Sequence, residues 1–533
     1  MRIPPSSRRA LTGALFLLVA PSGAAAGQAP PDPDDEERVR IVHLLQRATY
    51  GARPEDVAAV RAIGAEAWIE RQLRPETIDD SALAARLAPF RAVNLPLDEL
   101  YEAYPDGRRM RATAGEMDSV ARRRFEREMR AAGLQSPRRI GAELAGARLQ
   151  RALHSERQLE AVMTEFWFNR FNVYWGKGMD RWLVPDYERE AIRPHVFGRF
   201  EDLLVATARH PAMLFYLDNW RSIAPDSLRP ARPRLAREVP EGAGFNENYA
   251  RELLELHTLG VDGGYTEADV VAAARALTGW SIALRGEVPE FRFRPVLHDV
   301  GEKRFLGRTL PAGRGIEDGE EVLAILARHP STARHLARDL AEAFVSDDPP
   351  PALVARLERV FLETGGDLRA VTRALFTAPE FHEPGVREAK VKSPFELVAS
   401  ALRLTGAEAA PFNGTAAYLR SAGEIPYGAR DPIGYPETGE SWIDGGAMLQ
   451  RMNLALALAA GETRGVAIDA EGLAAAGGGD PVRALADRLL PGGGAERVAR
   501  VVAGDIAEGL PAGVSPSERA LGLILGSPEF QRW

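Results

Sequence analysis

The sequence predicts a mainly α-helical fold, a large multi-helix bundle with one short β-hairpin insertion. Three observations predict it. From Val39 to about Thr278 nearly every segment repeats apolar residues at helical spacing, no strand-helix-strand alternation interrupts them, and the clearest strand pattern is the stretch around Phe291 to Leu306. With 533 residues, 45% of them hydrophobic and 27% charged, the chain can bury a large core.

The first elements concern export. Arg2, Arg8 and Arg9 form a basic start, an apolar run follows from Ala10 to Ala20, and Ala24-Ala25-Ala26 offers a cleavage site, so residues 1–26 read as a signal peptide. Ser7-Arg8-Arg9-Ala10-Leu11 also matches part of a twin-arginine signal, interrupted by Thr12. Residues 27–36, rich in Pro and Asp, read as a flexible leader. No later run approaches the ~20 apolar residues of a membrane-spanning helix. The expected product is exported, periplasmic or extracellular, with no integral membrane segment after signal cleavage.

Composition narrows the chemistry. The chain has no cysteine, which excludes disulfides, thiolate metal sites and a cysteine nucleophile. Losing three signal arginines takes the net charge from −8 to −11, and an acidic chain argues against a nucleic-acid partner.

Residues 37–404 form the expected main helical domain. Val39 to Ala48 gives a helix ending near Gly51, and Pro54-Glu-Asp opens the next. Thr164-Glu-Phe-Trp-Phe-Asn-Arg-Phe-Asn-Val-Tyr-Trp175 is the most aromatic stretch, and so many rings on one helix must be largely buried. Within it Glu165, Asn169 and Asn172 recur at i, i+4, i+7. Such a stripe is costly if buried dry, so it either meets polar groups of another element or lines a wet cleft. Residues 222–245 are Pro-rich and carry Arg229, Arg232, Arg234 and Arg237, a long loop that reads as a lid or as a mobile surface loop.

Residues 246–260 read as the helix around which other segments pack. Asn246 suits its N-cap, Gly260 its left-handed end, and Thr266-Glu-Ala-Asp269 opens a second helix with a capping box, giving an αα-hairpin. At ~100° per residue, Asn248, Arg251, Glu252 and Glu255 share one face, while His257 falls among Ala250 and Leu253 as a hydrogen-bonded core histidine. The polar face carries two readings. One is a solvated face with an Arg251/Glu255 pair. The other is a cleft in which Glu252 and Glu255 act as acid/base groups or metal ligands, facing Glu165.

The hairpin is expected to join residues 290–299 to 303–307, with His298, Asp299 and Lys303 in its turn, where an Asx turn explains Asp299 without chemistry. Helices resume over 316–378 and 394–404. Beyond Thr405 the composition shifts to Gly, Ala and Pro, so residues 405–533 read as a C-terminal helical subdomain. Leu375-Phe-Thr-Ala-Pro-Glu-Phe381 recurs as Ile524-Leu-Gly-Ser-Pro-Glu-Phe530, each closing a helical run.

These segments together resemble the bacterial family DUF1800, a domain of unknown function, from about Val42 to the C-terminus. The resemblance rests on His43-Leu-Leu-Gln-Arg-Ala-Thr-Tyr-Gly51, Ala191-Ile-Arg-Pro-His195, His210-Pro-Ala-Met-Leu214, the 246–260 stretch, Leu277-Thr-Gly-Trp280, His298-Asp299 and Lys392-Ser-Pro394. It implies a secreted, mainly helical protein, often encoded beside another exported family that resembles sulfatases, and it implies no particular reaction or cofactor. Two departures stand out: Phe168-Asn-Arg170 lies where the family often has a histidine after the asparagine, and Gly434-Tyr435-Pro436 where Gly-Trp-Pro is usual. If that histidine is a ligand in relatives, a metal site here lacks it.

Three hypotheses follow. The first is a carboxylate-based hydrolase or lyase acting on an envelope or extracellular substrate. Glu165, Glu252 and Glu255 would be catalytic; Asn169, Asn172, Asn248, Arg251, His298, Asp299 and Lys303 would bind substrate. The second is a non-catalytic binding or assembly partner of a co-encoded exported sulfatase-like protein. The third is a carboxylate-bridged metal site, from which Glu252-Leu-Leu-Glu255 departs by lacking the Glu-x-x-His pairs of di-iron bundles. No nucleophile elbow, phosphate loop or HExxH motif selects a reaction.

Overall fold

The computed structural model describes residues 33–105, scattered positions between 120 and 131, and residues 133–224, 244–285 and 288–533. The expected signal peptide and most of the 222–245 loop lie outside the described residues. The opening helix, Pro33–Ala48, begins inside the stretch read as a leader. Among the described residues the fold is mainly helical, with only short antiparallel strand pairs. None of the described helices is long and apolar enough to cross a membrane.

Local signals set the helix ends. Asn246 Oδ1 accepts from the N–H groups of Asn248 (2.9 Å) and Tyr249 (3.4 Å), and Gly260 takes φ +84° at the other end. The Thr266–Asp269 capping box forms as expected, completing the αα-hairpin. The helix is regular only over Glu247–Glu252; Leu253–Thr258 is a π-helical turn, in which Thr258 Oγ1 donates to Leu253 O at 2.6 Å. The wider turn rotates the faces, and Leu256 is left half-buried.

The strands depart from the expected register. β1 (Trp280–Arg285) pairs with β2 (Val288–Phe293), and β3 (Lys303–Phe305) with β4 (Arg308–Leu310), so residues 290–293 and 303–305 belong to different hairpins. The side chains give the reason: Trp280 and Ile282 of β1 are buried, and the Trp280 ring meets Phe291 of β2 edge-on at 5.3 Å. A third pair, β5 (Glu408–Ala409) with β6 (Val466–Ala467), ties the C-terminal part together.

Two hydrophobic cores form. The first runs from Ile41 to Val386 and takes in Tyr427, and the second gathers Tyr50, residues of the 149–161 stretch and Phe395 to Phe530. The helix Pro394–Thr405 packs into the second core. The helix Arg138–His154 serves both cores, giving Ile140, Leu144 and Ala147 to the first and Leu149, Ala152 and Leu153 to the second. The aromatic helix Gln158–Arg170 does the same through Met163 and Trp167 on one side and Ala161 on the other. The polar stripe of that helix lies at this seam.

Candidate functional site

At the seam is a cavity of about 90 Å³, enough for several waters or a small polar group. Glu165, Asn169 and Asn172 all line it. The rings of the aromatic helix fill the first core, and its polar edge is left facing Tyr50, Arg148 and the 424–437 stretch.

Glu165 Oε2 accepts from the Tyr50 hydroxyl at 2.5 Å, and its other oxygen is ion-paired with Arg148. The Arg148 guanidinium lies over the Phe395 ring (4.7 Å to the centroid) and near that of Tyr427 (5.5 Å). Asn169 is clasped by a loop from the C-terminal part: its Nδ2 donates to Tyr435 O and Glu437 Oε1, both at 2.8 Å, while Tyr435 N donates back to Asn169 Oδ1 at 2.7 Å. Asn172 Nδ2 donates to the carbonyls of Ala429 (3.1 Å) and Asp431 (2.8 Å). The stripe's partner is thus this loop, in place of the 246–260 helix.

Three further carboxyl groups reach the cavity. Glu396 closes the capping box of the Pro394–Thr405 helix, accepting from Ser393 N at 2.7 Å. Glu424 Oε2 accepts from Phe395 N at 2.7 Å. Glu437 stands at the mouth. Burial first, then the Glu165 charge, raises the Glu424 carboxyl to about 8 and pushes Glu396 up as well. Burial also raises Glu437 to about 7, against the pull of Lys390 and Asn169; its side chain is exposed, so solvent moderates the push. Glu424, only 5% exposed, is the better-isolated acid. The wall residue Tyr427 adopts φ +61°, unusual for a residue with a side chain, and its hydroxyl donates to Glu188.

The other expected site residues lie elsewhere. Glu252, Glu255, Asn248 and Arg251 are not part of this cavity. Arg251 pairs with Glu267 of the next helix (2.7 Å) instead of Glu255, because the αα turn brings Glu267 within reach. Burial, then Glu255, raises the Glu252 carboxyl. His257 is a core residue as expected, 5.0 Å from the Phe171 ring, but its Nε2 has no hydrogen-bond partner.

His298, Asp299 and Lys303 are fully buried in a separate ion network. Asp299 takes Arg275 in a bidentate pair (2.6 and 3.1 Å) and accepts from Gly301 N at 2.8 Å, the Asx turn anticipated from sequence. Lys303, the first residue of β3 and not a turn residue, donates to Asp318 Oδ2 at 2.7 Å, and His298 Nε2 stands 3.4 Å from the same oxygen. Among the described residues no three His, Asp or Glu side chains gather closely enough to hold a metal ion.

A family model described as "Protein of unknown function (DUF1800)" matches residues 43–532. The chain belongs to the DUF1800 family. No curated protein and no solved structure matches it. Four of the segments that carry or depart from the DUF1800 pattern meet at the cavity: the 43–51 stretch supplies Gln46, Arg47, Thr49 and Tyr50, the 168–170 stretch Phe168 and Asn169, the 392–394 stretch Ser393, and the 434–436 stretch Tyr435 and Pro436. Residue patterns did not single out Arg148, Glu396, Glu424 or Glu437. Those segments were the available signal for two of them, since Glu437 directly follows Pro436 and Glu396 lies two residues after Pro394.

Proposed function

We propose that this DUF1800 protein is an exported carboxylate-based hydrolase or lyase acting on an envelope or extracellular substrate. The observation that carries this reading is Glu424, a buried carboxyl holding its proton up to about pH 8 in the same cavity as Glu165, which is ion-paired with Arg148. Two carboxyl groups with different environments around one small wet space suit general acid–base work on a polar bond. Glu424 is the proton donor, Glu165 the base or nucleophile, and Asn169 fixes the loop that closes the wall. Export is supported by the basic start, apolar run and alanine cleavage site of residues 1–26.

The test is a release assay over envelope glycans and esters with the parent protein, Glu424→Gln and Glu165→Gln. Turnover that falls about 100-fold in each variant, with the parent's rate declining as Glu424 deprotonates near pH 8, supports it. Turnover indifferent to both substitutions overturns it.

The alternative reading, an assembly partner of a co-encoded exported sulfatase-like protein, draws on a different observation. Leu449, Met452 and Leu456, on one face of the helix Gly445–Ala459, are 60%, 47% and 39% exposed, an apolar stripe of the kind that contacts a partner. Co-purification with that protein, lost in Leu449→Ser/Met452→Ser, would favour it.

A further inference from the structure

Arg47 comes from the opening helix, is 4% exposed, and lines the same cavity. Its Nη2 donates to the carbonyls of Val386 (3.1 Å) and Val345 (3.4 Å), whereas Nε and Nη1 have no acceptor. Buried N–H groups are nearly always matched, and two unmatched on one guanidinium beside a cavity call for an acceptor within it. The carboxylates whose charge it feels are committed to other partners: Asp347 accepts from Lys390 Nζ (2.5 Å) and Gly439 N (2.9 Å), and Glu396 from Ser393 N (2.7 Å). Burial accordingly draws Arg47 down to about 9.

We propose that the cavity receives an anionic substrate, a carboxylate or sulfate group, one oxygen of which takes a free N–H of Arg47. This deepens the acid–base reading of the same cavity and rests on it. The chemistry favours an anion over the alternatives. A neutral group leaves the buried guanidinium without a counter-charge: of the other charges that line the space, Glu165 is paired with Arg148 and Lys390 with Asp347, and burial raises Glu396, Glu424 and Glu437 towards their neutral forms. A guanidinium N–H held by an anionic oxygen makes a charge-assisted bond, stronger than one to a neutral acceptor. A cavity of about 90 Å³ admits such a group but not a polymer, so the remainder of the substrate lies outside.

The experiment is calorimetric titration of the full mature chain at constant ionic strength with sulfate, glucuronate, neutral glucose and cationic glucosamine. Saturable binding of glucuronate or sulfate is expected, the two arms distinguishing carboxylate from sulfate, with affinity falling about ten-fold or more in Arg47→Gln. If Arg47→Gln does not fold, the comparison passes to Arg47→Lys, which keeps the charge but loses the fixed N–H directions of the guanidinium and is expected to bind at least about three-fold more weakly. Absence of anion binding, equal binding of glucose or glucosamine, or unchanged affinity in the folded variant overturns the proposal. Binding is read without turnover. Glu424-dependent turnover without anion binding therefore removes this inference alone, and anion binding without Glu424-dependent turnover removes the catalytic reading alone.

Discussion

Asn169 and Tyr435 exchange two hydrogen bonds, Nδ2 to the Tyr435 carbonyl at 2.8 Å and the Tyr435 N–H back to Oδ1 at 2.7 Å, so a side chain imitates one rung of a β-ladder. The exchange fastens a loop of the C-terminal part to the aromatic helix and forms one wall of the cavity. The adjacent Gly434 has φ +80°, and a Cβ there would lie 2.5 Å from Asn169 O and Oδ1. Asn169→Ala is expected to lower stability by about 2–4 kcal/mol through the lost bonds and the stranded loop groups. Gly434→Ala should cost about 1–3 kcal/mol through strain and clash. Urea unfolding measures both, and a loss below ~0.5 kcal/mol in each would show that the clasp is incidental.

Glu424 gives a pH dependence with a defined sign. Its folded value, about 8, lies above the ordinary 4.5, so the folded protein holds a proton that the unfolded chain releases. This contribution to stability is complete below about pH 4.5 and is lost as pH rises through about 8. Each unit of such a difference is worth about 1.4 kcal/mol. Lys392, drawn down to about 7 by burial, acts oppositely, its contribution falling as pH drops from 10.5. Comparing Glu424→Gln with the parent isolates the first effect: the variant should lose less stability between pH 5 and pH 8, by a few kcal/mol at most. Parallel stability curves would remove Glu424 as a proton store.

Arg148 and Glu165 should behave as a coupled pair. Both side chains are largely shielded, at 15% and 20% exposure. Arg148→Met strands the carboxylate and is expected to cost about 3–5 kcal/mol, whereas Arg148→Met/Glu165→Leu should recover most of that loss. A double-mutant cycle reads the coupling directly, and additive single losses would mean that the pair does not interact energetically.

His257 should tolerate loss of its polarity better than loss of its volume. Its Nε2 is unpartnered and burial holds the ring neutral, down to about 3, so His257→Leu is expected to be neutral within ~1 kcal/mol. His257→Ala, which opens space against Phe171, should cost about 2–4 kcal/mol. Thermal melts of the two variants decide it; equal losses would contradict the packing role.

The caps at Asn246 and Thr266, the left-handed Gly260 and the Asx turn at Asp299 were legible because each is written within four residues of chain. The polar stripe of the aromatic helix was legible for a similar reason, since helical spacing alone puts Glu165 and Asn169 on one edge. The π turn over Leu253–Thr258 was not, because it depends on how that helix packs and not on its composition. Nor was strand pairing, since Trp280–Arg285 and Lys303–Phe305 both suit Val288–Phe293 as short neighbours and only burial of Trp280 separates them.

By itself, then, the sequence determined a mainly helical chain, its helix ends and an aromatic helix with a polar edge that had to find company. Only the tertiary structure decided what that company was. The polar face of residues 246–260 matches the stripe in chemistry as well as the true partner does, but the surface and the neighbouring helix satisfy it. Meanwhile Glu424, Tyr435 and Glu437, far along the chain, arrive at Glu165 and Asn169 because Tyr427 of the same stretch packs on Phe168 of that helix. Periodicity fixes which side chains share a face, but which faces meet depends on how two cores close over one helix, and no local pattern carries that information.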